Sequence, residues 1–191
     1  MNAKSARERK LMMFFISDIY TTAPSGFKTD LQEKTYHALN ILHIPFERVD
    51  TDEAITMDDC FQINEKLNVK MVKTLFLCNR RQTAFYLFIT AGDKPFKSKE
   101  FSNALGLSRV SFAPADLMEK MLGTKIGAAT VFSAMLDTDH ALEIVFDKDV
   151  VREEWYGCSD GTTTGYMKIE TKQIIHRFLP LTKHMPAIVE V

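Results

Sequence analysis

The chain has 191 residues, a formal net charge of −1 at neutral pH, and a hydrophobic fraction of 46%. This length suits one domain, whose core is large enough to fold without disulfides or a metal ion. A charge near zero excludes bulk positive charge as a cause of nonspecific nucleic-acid binding, although a local basic patch could still hold a nucleic-acid end.

The N-terminus and the cysteines indicate where the protein works. Residues 1–10 are basic and precede a six-residue apolar run that is shorter than the apolar region of a secretory signal. Cys60, Cys78 and Cys158 are widely spaced and match no zinc motif, which is typical of a reducing compartment. We expect one domain over 1–191 with a basic, helical or frayed N-terminus, no membrane span and a cytoplasmic location.

Helical spacing appears first after Thr29 and Asp30, either of which is a candidate N-cap, and Pro45 is expected to stop this helix. Residues 46–52 alternate and predict a short strand. Thr56 is a candidate cap for a second helix that follows it.

The middle of the chain carries a strong hairpin pattern. Two apolar, β-favouring runs, 69–79 and 83–92, are separated by polar residues and predict paired strands. Residues 97–106 predict a helix closed by its terminal glycine, and 108–113 predict a brief strand. A further helix is expected over 115–123, with proline before it and glycine at its end.

The last third mixes extended and helical patterns. Residues 128–136 and 141–150 are both strand-like and predict a second hairpin. Residues 153–157 are a candidate short strand, 169–179 have helical spacing, and the terminal run AIVEV predicts a strand. The mixture argues for an α+β domain around a curved mixed or antiparallel sheet, barrel-like, with surrounding helices.

Two segments and one lysine are candidates for a site. Lys73 interrupts an apolar strand, either as a strand-end lysine with a packed stem or as a cation at the mouth of a pocket. The small residues of 123–132 suit either a tight turn and close packing or a pocket wall made of backbone. The glycine- and threonine-rich stretch 157–169 suits either a solvated loop that starts the last helix or a functional loop.

Short basic clusters are the remaining candidates. Lys94, Lys97 and Lys99 form one, and Arg80 with Arg81 forms another. Such clusters are usually solvated surface, but they can contact a phosphate backbone. The sequence contains no P-loop, no GxGxxG, no HExxH and no GxSxG motif, and its five histidines have no ligand spacing, so we expect neither a metal nor a cofactor.

Four motifs in order carry a resemblance to a known family. They are KxLFL from Lys73, GxxxGAxTxF from Gly123, DGTTT from Asp160, and HxP at His184 and Pro186. In order and spacing they resemble the YbaK/prolyl-tRNA-synthetase-associated domain family, and its free-standing prolyl-tRNA editing proteins in particular. The resemblance covers most of the chain and implies an α+β fold with a curved mixed sheet.

The resemblance also implies which residues form the site. It implies Lys73 as the catalytic-site lysine that contacts the terminal nucleotide of tRNA. It implies an aminoacyl-binding loop and a pocket-side segment, made of Gly127, Ala128, Ala129, Thr130, Asp160, Gly161, Thr162 and Thr163. His184 and Pro186 are interpreted as structural.

The implied activity is hydrolysis of the ester of mischarged tRNA(Pro), with alanine as the expected amino acid and a ribose hydroxyl of the substrate assisting. The implied partners are the aminoacylated tRNA end and prolyl-tRNA synthetase. The chain departs from the family at Thr74, where relatives carry asparagine, at Val131, where they carry proline, and at Trp155, where they carry histidine. Thr74 still offers a hydrogen-bonding group, whereas Trp155 is expected to narrow or close the pocket. A catalytically weakened tRNA- or synthetase-binding module is the alternative, and a hydrolase of small free esters is a third hypothesis.

Overall fold

The computed structural model describes residues 14–54 and 57–191. The predictions for the basic N-terminus and for Thr56 as a helix cap lie outside the described residues. Within the described part, every helix is too short or too polar to cross a bilayer.

Helices and strands alternate along the chain without a repeating βαβ unit. The helices are α1 (Asp30–Ile41), α2 (Met57–Leu67), α3 (Ser98–Ala104), α4 (Ala115–Leu122), a 3₁₀-helix (Val131–Leu136), α5 (Lys148–Arg152), α6 (Thr171–Gln173), a π-helical turn (Ile174–Phe178) and α7 (Leu179–Leu181). The strands are β1 (Glu47–Asp50), β2 (Val72–Asn79), β3 (Phe85–Ala91), β4 (Val110–Phe112), β5 (Leu142–Asp147), β6 (Trp155–Ser159), β7 (Gly165–Glu170) and β8 (Ala187–Val189).

These strands form two sheets. The larger sheet has the order β4-β2-β3-β5-β8, in which β2 is antiparallel to both β3 and β4, whereas β5 runs parallel to β3 and to β8. The smaller sheet is antiparallel, with the order β1-β7-β6. A single bridge between Met71 and Gly157 brings the two sheets together. The predicted α+β fold around a mixed sheet is therefore confirmed, with two open sheets in place of a closed barrel.

The main core lies on one face of the larger sheet, and a second core lies on its opposite face. Because side chains alternate along a strand, Phe76 faces the first core and Leu77 the second. Tyr156 of β6 and Phe178 of the π-helical turn are fully buried in the first core. Phe101 of α3 covers the second core, so the sheet is buried on both sides.

Three predictions that depend on residues close together in the sequence are confirmed: a hairpin, a helix cap and a helix end. The hairpin predicted from 69–79 and 83–92 is confirmed as β2 and β3. Thr29 caps α1, since its side-chain oxygen accepts a hydrogen bond from the Gln32 N–H. Gly123 ends α4 in the left-handed region with φ of 63°, a conformation that glycine adopts without steric cost.

The prediction of a second hairpin from 128–136 and 141–150 is wrong. The first run is a loop that enters the 3₁₀-helix, and Ser133 N–H donates to Thr130 O at its start. The second run forms β5, but it pairs in parallel with β3 and ends where Asp147 caps α5. Val131 and Phe132 therefore adopt a helical turn despite their high β-propensity, because their burial in the main core outweighs that preference.

The stretch 157–169 is also different from the predicted helix-starting loop. Its two ends are the strands β6 and β7, joined by a tight turn at 160–164. The last helical segment starts at Thr171 rather than at residue 169. The glycines and threonines therefore build a hairpin turn, and that turn contributes to the candidate site.

Candidate functional site

A cavity of about 560 Å³ follows the open edge of β2. The short strand β4 pairs with residues 77–79 of β2 and Ala113 N–H donates to Phe76 O, so no described strand lies beside 72–75 on that side. The lining is Ala54, Cys60, Ile63, Met71, Val72, Lys73, Thr74, Leu75, Phe76, Phe112, Ala113, Met118, Ile126, Gly127, Ala129, Cys158, Ser159 and Tyr166. The volume is typical of a small-molecule site, and the lining is mainly apolar with a few polar groups.

One wall of the cavity is the loop before the 3₁₀-helix. Ala128 N–H donates to Lys125 O, which closes a four-residue turn, and Gly127 occupies its third position with φ of 92°. A positive φ at this position of a turn strongly favours glycine. The backbone N–H groups of Gly127 and Ala129 have no acceptor among the described residues, so both are available to a ligand.

This loop is bonded to the turn of the β6–β7 hairpin. The Thr124 hydroxyl lies 3.2 Å from Ala128 O and 3.1 Å from Gly161 O. From the other side, Ser159 Oγ lies 3.3 Å from Ala128 O and 2.9 Å from Thr162 O. The two predicted segments are therefore joined by buried hydrogen bonds, and the turn fixes the position of the loop.

Asp160 is the centre of that turn and is fully buried. Its Oδ1 accepts from the N–H of Thr162 at 3.1 Å and from the Thr162 hydroxyl at 2.8 Å. Its Oδ2 accepts from Gln32 Nε2 at 2.7 Å and from the Tyr36 hydroxyl at 3.1 Å. Burial, with the nearby Asp160 carboxylate, raises the pKa of Tyr36 well above its ordinary value. Asp160 thus accepts four hydrogen bonds inside the protein and connects α1 to the turn. It does not line the cavity.

Lys73 lines the cavity from β2. Its Nζ donates to the backbone oxygen of Lys94, and it forms no ion pair with the described carboxylates. Lys94 Nζ itself lies 2.8 Å from Asp147 Oδ2 and 2.7 Å from Asp149 Oδ2, so both carboxylates are already paired with another cation. Burial lowers the pKa of Lys73 from its ordinary value, and the Asp93 carboxylate opposes this effect. Lys73 is therefore a partly desolvated cation whose charge is available to an anion.

The cavity contains hydroxyl and thiol groups, but none is activated as a nucleophile. Burial raises the pKa of Cys158 and, with the Asp59 carboxylate, that of Cys60. Burial likewise raises the pKa of Tyr166. Within 14–54 and 57–191, the Ser159 hydroxyl has only backbone groups as hydrogen-bond partners. Among the described lining residues there is no histidine and no carboxylate that could act as a general base.

Four of the predicted site residues line the cavity: Lys73, Thr74, Gly127 and Ala129. The other predicted residues of the loop and the turn lie behind this lining, namely Ala128, Thr130, Asp160, Gly161 and Thr162. Buried Thr130 precedes the 3₁₀-helix, and its hydroxyl has no hydrogen-bond partner among the described residues.

Trp155 lies outside the cavity lining. It is 39% exposed at the start of β6, and Lys168 Nζ lies 4.7 Å from the centre of its ring. It borders a separate cleft of about 500 Å³ beside Lys94 and Arg152. Val131 is fully buried at the start of the 3₁₀-helix. Neither of these two departures from the family pattern occupies the cavity.

His184 is also remote from the cavity. Its Nε2 lies 3.0 Å from Asp137 Oδ2, and its Nδ1 lies 3.0 Å from the Thr182 hydroxyl. Asp137 additionally accepts from the N–H groups of Ala141 and Leu142. The imidazole thus connects the C-terminal segment to the end of the 3₁₀-helix.

Sequence reasoning missed several lining residues. Cys60 and Ile63 come from α2, Met118 from α4, and Tyr166 from β7. Phe112 and Ile126 stand at the mouth, where they are 61% and 71% exposed. An isolated apolar residue on an amphipathic helix carries no signal of a site, and the exposure of Phe112 and Ile126 is set by the tertiary structure, so the sequence alone gives no indication of either.

Comparisons with known proteins agree on one family. The family model described as the aminoacyl-tRNA editing domain matches residues 51–176. The chain is 27% identical over 122 residues to the prolyl-tRNA editing protein ProX of Acetoanaerobium sticklandii, covering 64% of this chain and 74% of that protein. It is 26% identical over 161 residues to prolyl-tRNA synthetase associated domain-containing protein 1 of Danio rerio, covering 83% and 86% respectively.

Solved structures share the fold. The crystal structure of hypothetical protein APE2540 has a TM-score of 0.61 and 15% identity, covering 82% of this chain and 98% of that one. A crystal structure of a candidate trans-editing enzyme for prolyl-tRNA synthetase has a TM-score of 0.60 and 15% identity, covering 86% and 99%. The family match spans most of the chain and includes β2, the cavity loop and the β6–β7 hairpin, so the protein belongs to the aminoacyl-tRNA editing domain family.

Proposed function

We propose that the protein is a trans-acting aminoacyl-tRNA deacylase that hydrolyses the ester of mischarged tRNA(Pro), with alanine as the amino acid removed. The observation that carries this proposal is the cavity along β2, where Lys73 and the free N–H groups of Gly127 and Ala129 meet in an apolar lining. The editing protein ProX and the other family relatives support the choice of tRNA(Pro).

The cavity suits the end of an aminoacylated tRNA. Its volume of about 560 Å³ is large enough for a ribose as well as a small aminoacyl group. Lys73 would pair with the anionic backbone of the terminal nucleotide. The N–H groups of Gly127 and Ala129 would donate to the oxygen that becomes negatively charged when water attacks the ester carbonyl, the interaction that stabilises such a transition state most.

The chemistry needs no protein nucleophile. An aminoacyl ester is already activated, so positioning a water and stabilising the oxyanion account for much of the rate. Because the pKa values of Cys60, Cys158 and Tyr166 are all raised, these groups stay protonated and are poor nucleophiles at neutral pH. We therefore propose that a ribose hydroxyl of the substrate acts as a relay, which accepts a proton from the attacking water as it gives its own proton to the ribose oxygen that leaves the ester.

Alanine selection would depend on size. A hydrophobic pocket separates ligands that differ by one methylene by only roughly 10- to 200-fold, and excluding a larger ring is the easier task. The apolar side chains of Ile63, Met71 and Met118 border the cavity and would set that limit.

The test is to incubate the protein with Ala-tRNA(Pro) and to follow the loss of the ester. Lys73→Ala should lose most of the activity, whereas Lys34→Ala, which removes an exposed lysine of α1, should keep it. Absence of hydrolysis with alanine and with every other small amino acid at high enzyme concentration would refute the deacylase proposal. Hydrolysis of free aminoacyl esters at the same rate as aminoacyl-tRNA would favour a small-ester hydrolase instead.

The alternative of a weakened binding module rests on Val131 and Trp155. Val131 is buried behind the loop and Trp155 lies at a separate cleft, so neither side chain obstructs the cavity, which supports an active enzyme. Salt-dependent tRNA binding without any ester loss would favour the module.

A further inference from the structure

A large apolar side chain stands exposed at the mouth of the cavity and is fixed in place from behind. Phe112 of β4 is 61% exposed and also lines the cavity. Its ring meets that of Phe96 edge-on, at 5.5 Å between centroids and 63° between planes. Phe96 in turn contacts the buried rings of Phe88 and Phe101. Phe112 therefore presents an aromatic surface to solvent beside the cavity, and the Phe96 ring supports it on one side.

A cationic groove lies at the other end of the same strand. It has a volume of about 410 Å³ and is lined by Ser98, Lys99, Ser102, Asn103, Leu107 and Arg109. Neither Lys99 nor Arg109 forms an ion pair with any residue that the structure describes. The nearby Glu100 is already paired with Lys97 at 2.9 Å. The groove thus presents two free cations among neutral hydrogen-bonding groups.

The groove and the aromatic surface are close enough to serve one ligand. Arg109 directly precedes β4 and Phe112 ends it, so about 10 Å of extended chain separates the two residues. Phe96, on which the Phe112 ring packs, also precedes Ser98 of the groove by two residues, so the cavity, the Phe112 ring and the groove are neighbours. This order places a reactive centre, a flat apolar face and positive charge in series.

We propose that Phe112, Lys99 and Arg109 form a docking track for the unpaired 3′ strand of tRNA, whose terminal ester enters the cavity. One base stacks on Phe112 while the phosphates on its 5′ side bind Lys99 and Arg109. Aromatic stacking combined with a positive groove is the usual way in which proteins hold single-stranded nucleic acid without reading its sequence. The inference rests on the proposed function, because it uses the cavity as the position of the tRNA end.

Nucleic acid fits this surface better than a protein partner does. A protein interface has an apolar centre from which charged residues are depleted, whereas here the exposed ring is followed by two unpaired cations. The track is also continuous with the cavity, where the end of the same ligand would lie.

Binding of uncharged tRNA(Pro) transcripts tests the proposal without requiring hydrolysis. Phe112→Ala should raise the Kd by about 5- to 100-fold for the full-length transcript. Phe112→Tyr keeps the ring and should bind like the wild type. Phe61→Ala, which removes a 57% exposed ring on α2 that does not line the cavity, is the matched control and should change nothing. A transcript lacking its unpaired 3′ nucleotides should bind wild type and Phe112→Ala equally.

The roles of Lys99 and Arg109 are tested by measuring how tRNA binding depends on salt concentration. The double variant Lys99→Ala/Arg109→Ala should bind the full-length transcript more weakly, and the slope of log K against log salt should fall by about 1.4 in magnitude, since each single-strand phosphate contact contributes roughly 0.7. Lys34→Ala is the control, and it should leave the slope unchanged.

The outcomes separate this inference from the proposed function. Ester hydrolysis with the same KM in wild type and Phe112→Ala would overturn the track and leave the deacylase intact. Binding that depends on Phe112 and on salt as expected, without ester loss, would support the track and overturn the deacylase. Loss of binding to prolyl-tRNA synthetase with unchanged tRNA binding would assign the surface to a protein partner and overturn the track.

Discussion

Replacing Asp160 with asparagine should destabilise the protein, although the change removes only one charge and almost no volume. The carboxylate is fully buried and accepts four hydrogen bonds, two at each oxygen. An asparagine side chain must present an NH₂ group to one of these two donor pairs. If it faces Thr162, it meets a backbone N–H that cannot reverse.

The other orientation is no better. There the NH₂ group faces the amide of Gln32, whose flip would place its oxygen toward residue 160. That oxygen already accepts from Lys28 N–H at 2.7 Å, and the flip would break this bond. Either way one buried donor loses its acceptor, which costs about 1–3 kcal/mol, and the remaining bonds lose their charge-assisted strength. The relief of carboxylate desolvation offsets part of this, so we expect the free energy of unfolding of Asp160→Asn to fall by about 2 kcal/mol.

Urea unfolding followed by circular dichroism measures this loss. For a slope of about 2 kcal/mol per molar urea, the midpoint should fall by about 1 M with an unchanged slope. Asp139→Asn is the matched control, because the Asp139 side chain is exposed in a turn and makes no hydrogen bond or ion pair with the described residues, and its effect should stay within about 0.5 kcal/mol. A midpoint for Asp160→Asn within error of that control would refute the structural role assigned to the buried carboxylate.

Three further substitutions test the site. Gly165→Ala should lower the free energy of unfolding by about 2 kcal/mol or more, because an added Cβ would lie 2.2 Å from Asp160 Oδ2. Gly26→Ala is the control and should be neutral, because an added Cβ there would have no atom within 4 Å. Equal shifts of the two urea midpoints would contradict this expectation. Gly127→Ala should lose about 1–3 kcal/mol of stability through its φ of 92° and should slow ester loss from Ala-tRNA(Pro); an unchanged rate would show that the loop tolerates a side chain. Since burial lowers the pKa of Lys73, binding of uncharged tRNA should weaken at a lower pH than the ordinary lysine value of about 10.4. Lys73→Arg, which keeps its charge, should remove that loss, and identical pH profiles for the two proteins would exclude the Lys73 cation from binding.

Local sequence signals predicted elements that depend on neighbouring residues. The polar residues between two apolar runs predicted the β2–β3 hairpin, and Thr29 predicted the start of α1. The parallel pairing of β5 with β3 had no such signal, because the partner lies more than fifty residues away and the pairing requires a crossover. The run 128–136 was wrongly predicted as a strand for a related reason, since Val131 and Phe132 pack into the main core from a helical turn, and this tertiary packing has no local signal.

The site was predicted only in part, and the reason is physical. The motifs identified the segments that meet at the cavity, including Lys73 and Gly127. They did not distinguish a residue that faces the cavity from one that faces the core. Asp160 appears in a polar, turn-forming stretch of the chain, yet its buried carboxylate accepts hydrogen bonds from Gln32 and Tyr36, which are 128 and 124 residues away. Only the tertiary arrangement decides which way such a side chain points.

The pairing of β1 with β7 has a consequence for synthesis on the ribosome. Glu47 lies opposite Lys168, 121 residues later in the chain. At elongation rates of 5–20 residues per second, β1 waits roughly 6 to 25 s for its partner. During that interval the edge of β1 that later pairs with β7 is open beside a growing chain, a state prone to wrong pairing. We therefore expect the yield of folded protein, rather than its final stability, to respond most to chaperone supply and to translation speed between residues 50 and 165.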